Sequence, residues 1–200
     1  MKKILVLFVL LALFLSACSA EAAPVMYIEP AELTEKEEAI AKLLGADRDQ
    51  HIFDVVLDGT ARAMRVQKYE LTDGAWESFS SGDTALIENT TKVRMAFAFG
   101  DLRGEFREAF QFGEAQASEW TYYPEEEEED PDLGRATAFL SNRTEIVYGQ
   151  EIPLAVQIHT AKDGVLSYDP EYFFRPEEYA KHGYEHVYAL TVTFSQEPLS

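Results

Sequence analysis

Apolar and polar residues alternate from about residue 50 to the C terminus, and Gly and Asp residues interrupt the alternation at short intervals. Successive side chains of a β-strand point to opposite faces, so a period of two indicates strands that bury one face. Asp58-Gly59 and Asp73-Gly74 are typical of the turns between such strands. The chain is therefore predicted to fold mainly as β-structure.

The clearest predicted hairpin joins residues 91–99 to residues 104–112 through the loop 100–103. Simple closure of that loop would place Met95 opposite Glu108 and make one face of the hairpin almost wholly aromatic. The other face would be charged, as solvent accepts. We expect this hairpin to contribute to the core.

Glu108 is an acidic residue that this register places on the aromatic face. An unpaired carboxylate is costly there, so we expect a raised pKa or a salt bridge. The favoured expectation is an ion pair with an arginine such as Arg65 at the rim of a sheet. The alternative is that Glu108 serves a small-ligand carrier or a hydrolase as an inward-facing acid.

Further strands are predicted over residues 136–147, 152–161 and 184–194. The residues expected to point inward are Ile152, Leu154, Val156 and Ile158 in the second of these strands and Tyr188, Leu190, Val192 and Phe194 in the third. The alternation slips near Gln67, and we expect a β-bulge there. About eight short strands joined by Gly and Asp turns are typical of an all-β fold. We therefore predict an antiparallel β-sandwich or a distorted barrel.

One short helix is predicted before the strands, over residues 35–44. Thr34 and Glu37 have the spacing of a capping box, which favours a helix beginning there. Ile40, Leu43 and Leu44 fall on one side of that helix. Such a short helix needs a surface of the protein to pack on.

The first residues have the layout of a secretory signal peptide. Lys2 and Lys3 precede twelve apolar residues, 4–15, and small residues follow directly. Twelve helical residues cover about 18 Å of a hydrocarbon core about 30 Å thick, so the run is too short to span a membrane. Cys18 comes next and is the only cysteine, which excludes an internal disulfide.

Residues 15–18 (Leu-Ser-Ala-Cys) resemble the lipobox of bacterial lipoproteins. The resemblance implies transfer of diacylglyceryl to the Cys18 sulfur and cleavage before that residue. The mature protein would then be anchored in the cell membrane by lipid, facing outside the cytoplasm. The alternative is an ordinary secretory signal cleaved near Ala20 or Ala23. The folded part is loosely similar to uncharacterised small lipoproteins of Gram-positive bacteria, a likeness that brings no functional residues.

Three segments follow from these features: a signal peptide over 1–17, a lipidated cysteine and tether over 18–33, and a single β-rich domain with its helix over 34–200. Two prolines in the tether favour an extended, hydrated backbone. The domain is long enough for one hydrophobic core.

The chain is strongly acidic, with 36 acidic and 17 basic residues and a formal charge of −19. Removal of residues 1–17 leaves 15 basic and 36 acidic residues, a charge of −21. This charge disfavours nucleic acid and anionic lipid headgroups as partners, and it suits divalent cations or basic surfaces.

The densest acidic run has seven carboxylates between residues 125 and 132. Oxygen ligands suit Ca²⁺, yet the spacing matches no calcium loop, and a solvated loop is the favoured interpretation. The weak metal-ligand candidates are Glu125, Glu127, Glu129, Asp130 and Asp132. His182 and His186 would lie about 13 Å apart along a strand, too far for one ion. No cofactor is expected.

Aromatic residues concentrate between positions 168 and 188. They predict either a lid over the core or an exposed recognition patch, because tyrosines are enriched in interfaces. The candidate binding patch is Tyr168, Tyr172, Phe173, Phe174 and Tyr179.

The leading functional hypothesis is a non-enzymatic, membrane-anchored module that binds a protein or a glycan of the cell envelope. No arrangement of serine, histidine and acid predicts a nucleophile, and no glycine pattern predicts a phosphate site. The alternatives are a carrier or hydrolase that uses Glu108, and divalent-cation binding by residues 125–132.

Overall fold

The computed structural model describes residues 25–43, 50–113, 116–124, 133–166 and 169–199. These residues form eleven strands, two α-helices and one 3₁₀ helix. The strands are β1 (Tyr27–Pro30), β2 (Gln50–Val56), β3 (Ala63–Thr72), β4 (Ala75–Ala85), β5 (Lys92–Ala98), β6 (Phe106–Phe112), β7 (Gln116–Tyr122), β8 (Gly134–Phe139), β9 (Thr144–Glu145), β10 (Glu151–Thr160) and β11 (His186–Ser195). The helices are α1 (Glu35–Leu43), the 3₁₀ helix Pro170–Phe174 and α2 (Pro176–Ala180).

The strands form two antiparallel sheets that pack face to face, which confirms the predicted all-β sandwich. One sheet has six strands in the order β7-β6-β5-β2-β1-β9, and the other has five in the order β4-β3-β11-β10-β8. The number of strands exceeds the predicted eight because β1 and β7 were not expected. In addition, the single strand predicted over 136–147 is wrong: it divides into β8 and β9, which lie in different sheets.

Strand β1 corrects the predicted tether. Tyr27–Pro30 pairs with β2 on one side, and its first two residues pair with β9 on the other. Ile28 is fully buried in the core. The tether prediction over 18–33 is therefore wrong for residues 27–30, and residues 18–24 lie outside the described part of the chain.

Helix α1 begins with the predicted capping box. The Thr34 N–H donates to Glu37 Oε2 at 2.7 Å, and the Glu37 N–H donates to Thr34 Oγ1 at 3.3 Å. Ile40, however, is 58% exposed, so it does not pack on the sheet as expected. The helix contacts the sheet through Arg94 of β5, which donates to Glu37 Oε1 at 2.9 Å and to Asp54 at 2.7 Å.

The β5–β6 hairpin pairs two residues away from the predicted register. Glu108 lies opposite Phe97, and Met95 lies opposite Phe110. The connecting loop is longer than predicted because Leu102 folds inward and is fully buried. A shift of two residues preserves the faces, so Glu108 still points into the sandwich.

The main core lies between the two sheets. On β11 it receives the four residues that the sequence predicted to point inward, Tyr188, Leu190, Val192 and Phe194. On β10 the prediction is half right: a register irregularity between Pro153 and Ala155 places Val156 and Ile158 on the outer face instead. The predicted bulge near Gln67 is confirmed between Lys68 and Tyr69.

The two lateral sides of the sandwich differ. On one side, residues 140–143 cross directly from β8 in one sheet to β9 in the other, and Leu140 and Ile146 are buried there. We call this the closed side. On the opposite side, β4 pairs only with β3, and β7 only with β6, among the described residues. We call this the open side.

Candidate functional site

A groove of about 560 Å³ lies between the two edge strands of the open side. It combines apolar side chains with hydroxyl, amide and carboxylate groups. Its lining residues are Asp83, Thr84, Ala85, Ile87, Phe112, Gln116, Ala117, Ser118 and Trp120. Such a mixture of an apolar surface and a few polar groups is common in binding sites.

Exposed aromatic side chains lie on the two edge strands that flank this groove, and of these Trp120 lines it. Trp120 is 41% exposed, Tyr122 39% and Tyr123 72% on or just beyond β7, and Phe79 of β4 is also exposed. These four residues are called the aromatic edge below. The Trp120 ring is held by Phe110, with the ring centroids 5.7 Å apart. The aromatic edge is therefore partly pre-ordered.

The floor of the groove contains an unsatisfied polar atom. Ser118 Oγ is buried and has no hydrogen-bond partner within the described part of the chain. Ser118 lies on the inner face of β7, opposite Phe110. Burying a hydroxyl without a hydrogen-bond partner costs free energy. A ligand that supplied the missing hydrogen bond would therefore bind more tightly at this position.

The predicted inward acid lies beside the aromatic edge. Glu108 is 3% exposed, and Tyr122 donates to its Oε1 at 3.0 Å. Gly82 of β4 allows this approach, since a Cβ there would lie 3.2 Å from the Tyr122 oxygen and 3.4 Å from Glu108 Oε1. The predicted ion pair with Arg65 is wrong: Arg65 points outward from β3 and pairs with Asp83 at 2.6 Å.

Lys68 is a second buried charged residue next to Glu108, and it is 8% exposed. Its ammonium donates to the Leu102 carbonyl at 3.1 Å and lies 4.8 Å from the centre of the Phe106 ring. Burial lowers the pKa of Lys68 to about 8, although the charge of Glu108 opposes this. Burial likewise raises the pKa of Glu108, opposed by the Tyr122 hydrogen bond and by Lys68. Both groups therefore lie closer to their neutral forms than in water.

A cluster of charged residues surrounds the β5–β6 loop at one end of the sandwich. His159 is buried, with Nε2 3.0 Å from Gln157 Oε1 and 3.8 Å from Asp101. His186 Nδ1 lies 3.1 Å from Glu70. Asp101 is far from His159 in the chain, and Glu70 is far from His186, so the sequence does not reveal these two contacts. No group of His, Cys, Asp and Glu suited to a metal ion occurs in the described residues.

The aromatic segment predicted as a binding patch mainly covers the core. Phe173 and Tyr179 are buried on the outer face of the five-stranded sheet, so the recognition role is wrong for them. Phe173 stacks on Trp76, whose indole N–H donates to the Phe173 carbonyl at 2.7 Å. Tyr172 is half-buried beneath Arg175, and only Phe174 of the patch residues described is exposed.

Tyr168, Cys18 and the acidic residues 125–132 lie outside the described residues. Their predicted roles in binding, lipid attachment and cation binding therefore stay predictions. No helix among the described residues is long and apolar enough to cross a membrane.

A larger cleft, of about 690 Å³, lies on the outer face of the five-stranded sheet. Four of its polar side chains are already paired: Arg65 binds Asp83, and Tyr69 donates to Glu151. Thr191 donates to the same carboxylate at 3.2 Å. These contacts describe a solvated sheet face, so the smaller groove on the open side is the better candidate site.

Sequence reasoning missed the aromatic edge because β7 was not predicted. The alternation of Ser118, Trp120 and Tyr122 was the available signal. These three residues do share the inner face of β7, opposite Phe110, Glu108 and Phe106.

Comparisons with known proteins yield no relative. No family model, no curated protein and no solved structure matches the chain. The interpretation of the open side therefore depends on its geometry and chemistry.

Proposed function

We propose that this chain is a lipid-anchored protein of the cell membrane that acts outside the cytoplasm as a non-enzymatic binding module. The anchor is the lipid on Cys18, and the binding surface is the aromatic edge with its groove. The observation that carries the proposal is the line of exposed aromatic residues along two strand edges that have no further strand partner among the described residues.

Aromatic side chains provide large contact areas at a low entropy cost, and they are enriched where proteins bind one another. Soluble proteins seldom leave several such side chains together in water without a use. The groove beside them adds a buried hydroxyl that lacks a partner among the described residues. Together these features favour a surface that is covered when the protein functions.

The charge of the chain favours a basic polypeptide as the partner. Arg65 and Arg107 on the outer faces of the sheets already contact Asp83 and Glu119. The Lys68 ammonium and the Arg103 guanidinium lie 5.4 Å and 5.1 Å from the centre of the Phe79 ring. The chain as a whole has 36 acidic against 17 basic residues. This excess attracts basic surfaces and repels acidic polymers. We therefore favour an envelope protein over a neutral glycan.

A second function, as a small-ligand carrier or hydrolase, is favoured by one observation, the buried position of Glu108. The enclosure of this carboxylate by Tyr122 and Gly82 supports a structural role instead. Glu108→Gln separates the two: the binding-module proposal expects partner binding to persist in the folded variant. Loss of a measurable activity with retained folding would favour the alternative.

Divalent-cation binding by residues 125–132 remains a separate proposal. It predicts a higher melting temperature in calcium than in chelator, because a ligand that binds only the native state stabilises it. Equal melting temperatures would contradict it.

The main test is crosslinking in living cells followed by mass spectrometry of the captured proteins. A Trp120→Ala, Tyr123→Ser variant should lose a partner that the wild type captures. Phe174→Ala, which removes an exposed aromatic residue elsewhere, is the matched control and should retain it. Loss in the Phe174 variant alone would instead favour the patch around Phe174 in the aromatic segment after β10.

The anchor has its own test. Cys18→Ser should release the protein from the membrane fraction, because lasting attachment requires more than one buried acyl chain on the sulfur. Mass spectrometry of the wild-type N terminus should show a lipidated Cys18. An unmodified N terminus near Ala20 or Ala23 would contradict the proposed anchor.

A further inference from the structure

The two strands of the open side differ from well-protected sheet edges. Edge strands usually avoid unwanted pairing through lysine, proline, bulges or short length. Strand β7 has seven residues and contains neither lysine nor proline. Strand β4 also lacks both, but its pairing with β3 shifts register between Lys68 and Tyr69, which bends that edge. Strand β7 is therefore the more regular free edge.

We infer that β7 accepts an extended segment of a partner polypeptide as an added strand. This inference rests on the proposed function, because it specifies how the aromatic edge binds its partner. Main-chain hydrogen bonds to the free edge would supply affinity, and alternate side chains would supply specificity. The added strand would extend the six-stranded sheet beyond β7.

The two faces of β7 define the chemistry of that segment. The inner face presents Ser118 and Trp120 to the groove, where Phe112 and Ile87 add apolar surface. The outer face carries Glu119, whose carboxylate is 61% exposed and 3.5 Å from Arg107. A segment with apolar side chains alternating with basic ones would satisfy both faces, since side chains of a strand alternate.

A second copy of the same chain is a poorer occupant. Pairing of β7 with itself would bring together two chains that each have a formal charge of −19. It would also place Glu119 of one copy near the acidic outer face of the other. Like charges across a strand pair are unfavourable, so a basic partner fits this edge better.

The test uses a synthetic seven-residue peptide of alternating valine and lysine with blocked ends, titrated into the full chain. Two further peptides are N-methylated, one at every valine and the other at every lysine. Alternate N–H groups of a strand point to opposite edges, so only one pattern removes the donors that face β7. That pattern should weaken binding by about a hundredfold, because two or three hydrogen bonds are lost. The other pattern should have little effect.

Hydrogen exchange locates the added strand, and amides of β7 should gain protection while those of β9 do not. Trp120→Lys should abolish peptide binding, because an inward-pointing charge at an edge blocks strand addition. Phe174→Lys is the matched control, and cooperative unfolding of both variants confirms that they fold.

Equal binding of the two methylated peptides would overturn strand addition. This holds even if binding still requires Trp120, which would leave the proposed binding surface supported. Three other results would also overturn strand addition to β7. They are protection of β4 amides rather than β7 amides, no binding of the unmethylated peptide, and a dimer that protects β7 amides without peptide. Retained capture of the partner by the Trp120→Ala, Tyr123→Ser variant in the crosslinking test would instead count against the proposed function itself.

Discussion

The closed and open sides of the sandwich cover the edge of the hydrophobic core in different ways. On the closed side, the chain passes from β8 to β9 in four residues and covers the core with Leu140 and Ile146. The Leu140 N–H donates to the Leu154 carbonyl at 2.8 Å, and the Ile146 N–H donates to the Met26 carbonyl at 2.9 Å. On the open side, partly exposed aromatic residues occupy the gap instead.

The difference teaches which residues stabilise the fold and which are available for binding. On the closed side, backbone hydrogen bonds continue the pairing of each sheet up to the crossing, and Leu140 and Ile146 fill the end of the core between the sheets. The open side keeps free strand edges and a groove, at some cost in exposed apolar surface. We therefore expect substitutions on the closed side to change stability and those on the open side to change binding.

The largest expected effect is on the closed side. Leu140→Ala should lower the free energy of unfolding by about 2–5 kcal/mol, because it removes a buried side chain and leaves a cavity. Ile87→Ala on the open side is the matched control and should cost less than about 1 kcal/mol, since Ile87 is exposed. Urea unfolding measures both. Equal losses would break the distinction between the two sides.

The next effect concerns the buried charges beneath the aromatic edge. Lys68→Met should cost about 1–3 kcal/mol at pH 7, because it leaves the Glu108 carboxylate buried without its nearest cation. Glu108→Gln should cost a similar amount. The double variant should be more stable than either single one, since both buried charges are then absent. Purely additive losses in the double-mutant cycle would contradict this coupling.

The pH dependence of the free energy of unfolding differs in sign between these two single variants. In Lys68→Met, loss of the lysine charge raises the pKa of Glu108 further. The stabilisation that Glu108 contributes is then complete at low pH and is lost as pH rises through its folded-state pKa. In Glu108→Gln, Lys68 has a pKa below its ordinary value of 10.5, so stability increases as pH rises toward that value. Denaturant titrations at several pH values should show these opposite slopes.

A smaller pH effect is expected from His159. Burial lowers the pKa of His159. The charges of Arg135 and His186 lower it further, whereas those of Asp101 and Glu70 oppose the shift. The His159 Nε2 also contacts the side chain of Gln157. The unfolded state therefore takes up a proton first as pH falls below about 6.5, and stability is lost there. His159→Gln should reduce the loss of unfolding free energy between pH 7 and pH 5. An unchanged difference would contradict a neutral buried histidine.

The smallest effect on stability is expected at the aromatic edge itself. Trp120→Ala should lower the free energy of unfolding by about 1 kcal/mol, because the indole is 41% exposed, so that only part of its surface is buried, including its contact with Phe110. Differential scanning calorimetry tests this directly. A loss as large as that of Leu140→Ala would make Trp120 a core residue and would remove its availability for binding.

Much of the fold was predictable because period-two alternation determines which face of a strand is buried. The four inward residues of β11 and the inward position of Glu108 followed from that alternation alone. Pairing was less predictable. The inward turn of Leu102 lengthened the β5–β6 loop and shifted the register, and no local pattern signals such a turn.

The candidate site was less predictable than the fold, for a related reason. Strand order decides whether an alternating segment lies at an edge, and the sequence does not give strand order. Tyr122 and Gly82 belong to strands that are distant in the chain, and they meet because β7 and β4 are edges on the same side. Phe173 and Tyr179, in contrast, are buried because the segment after β10 folds back over the sheet.

Site-specific photocrosslinking in living cells is the most direct measurement of whether the open side binds the partner. A photoreactive residue replaces Gln116 at the open side in one strain and Asn142 at the closed side in another, both exposed positions. We predict a specific protein adduct at position 116 and none at position 142. Equal adducts at the two positions, or an adduct at 142 alone, would contradict the assignment of binding to the open side.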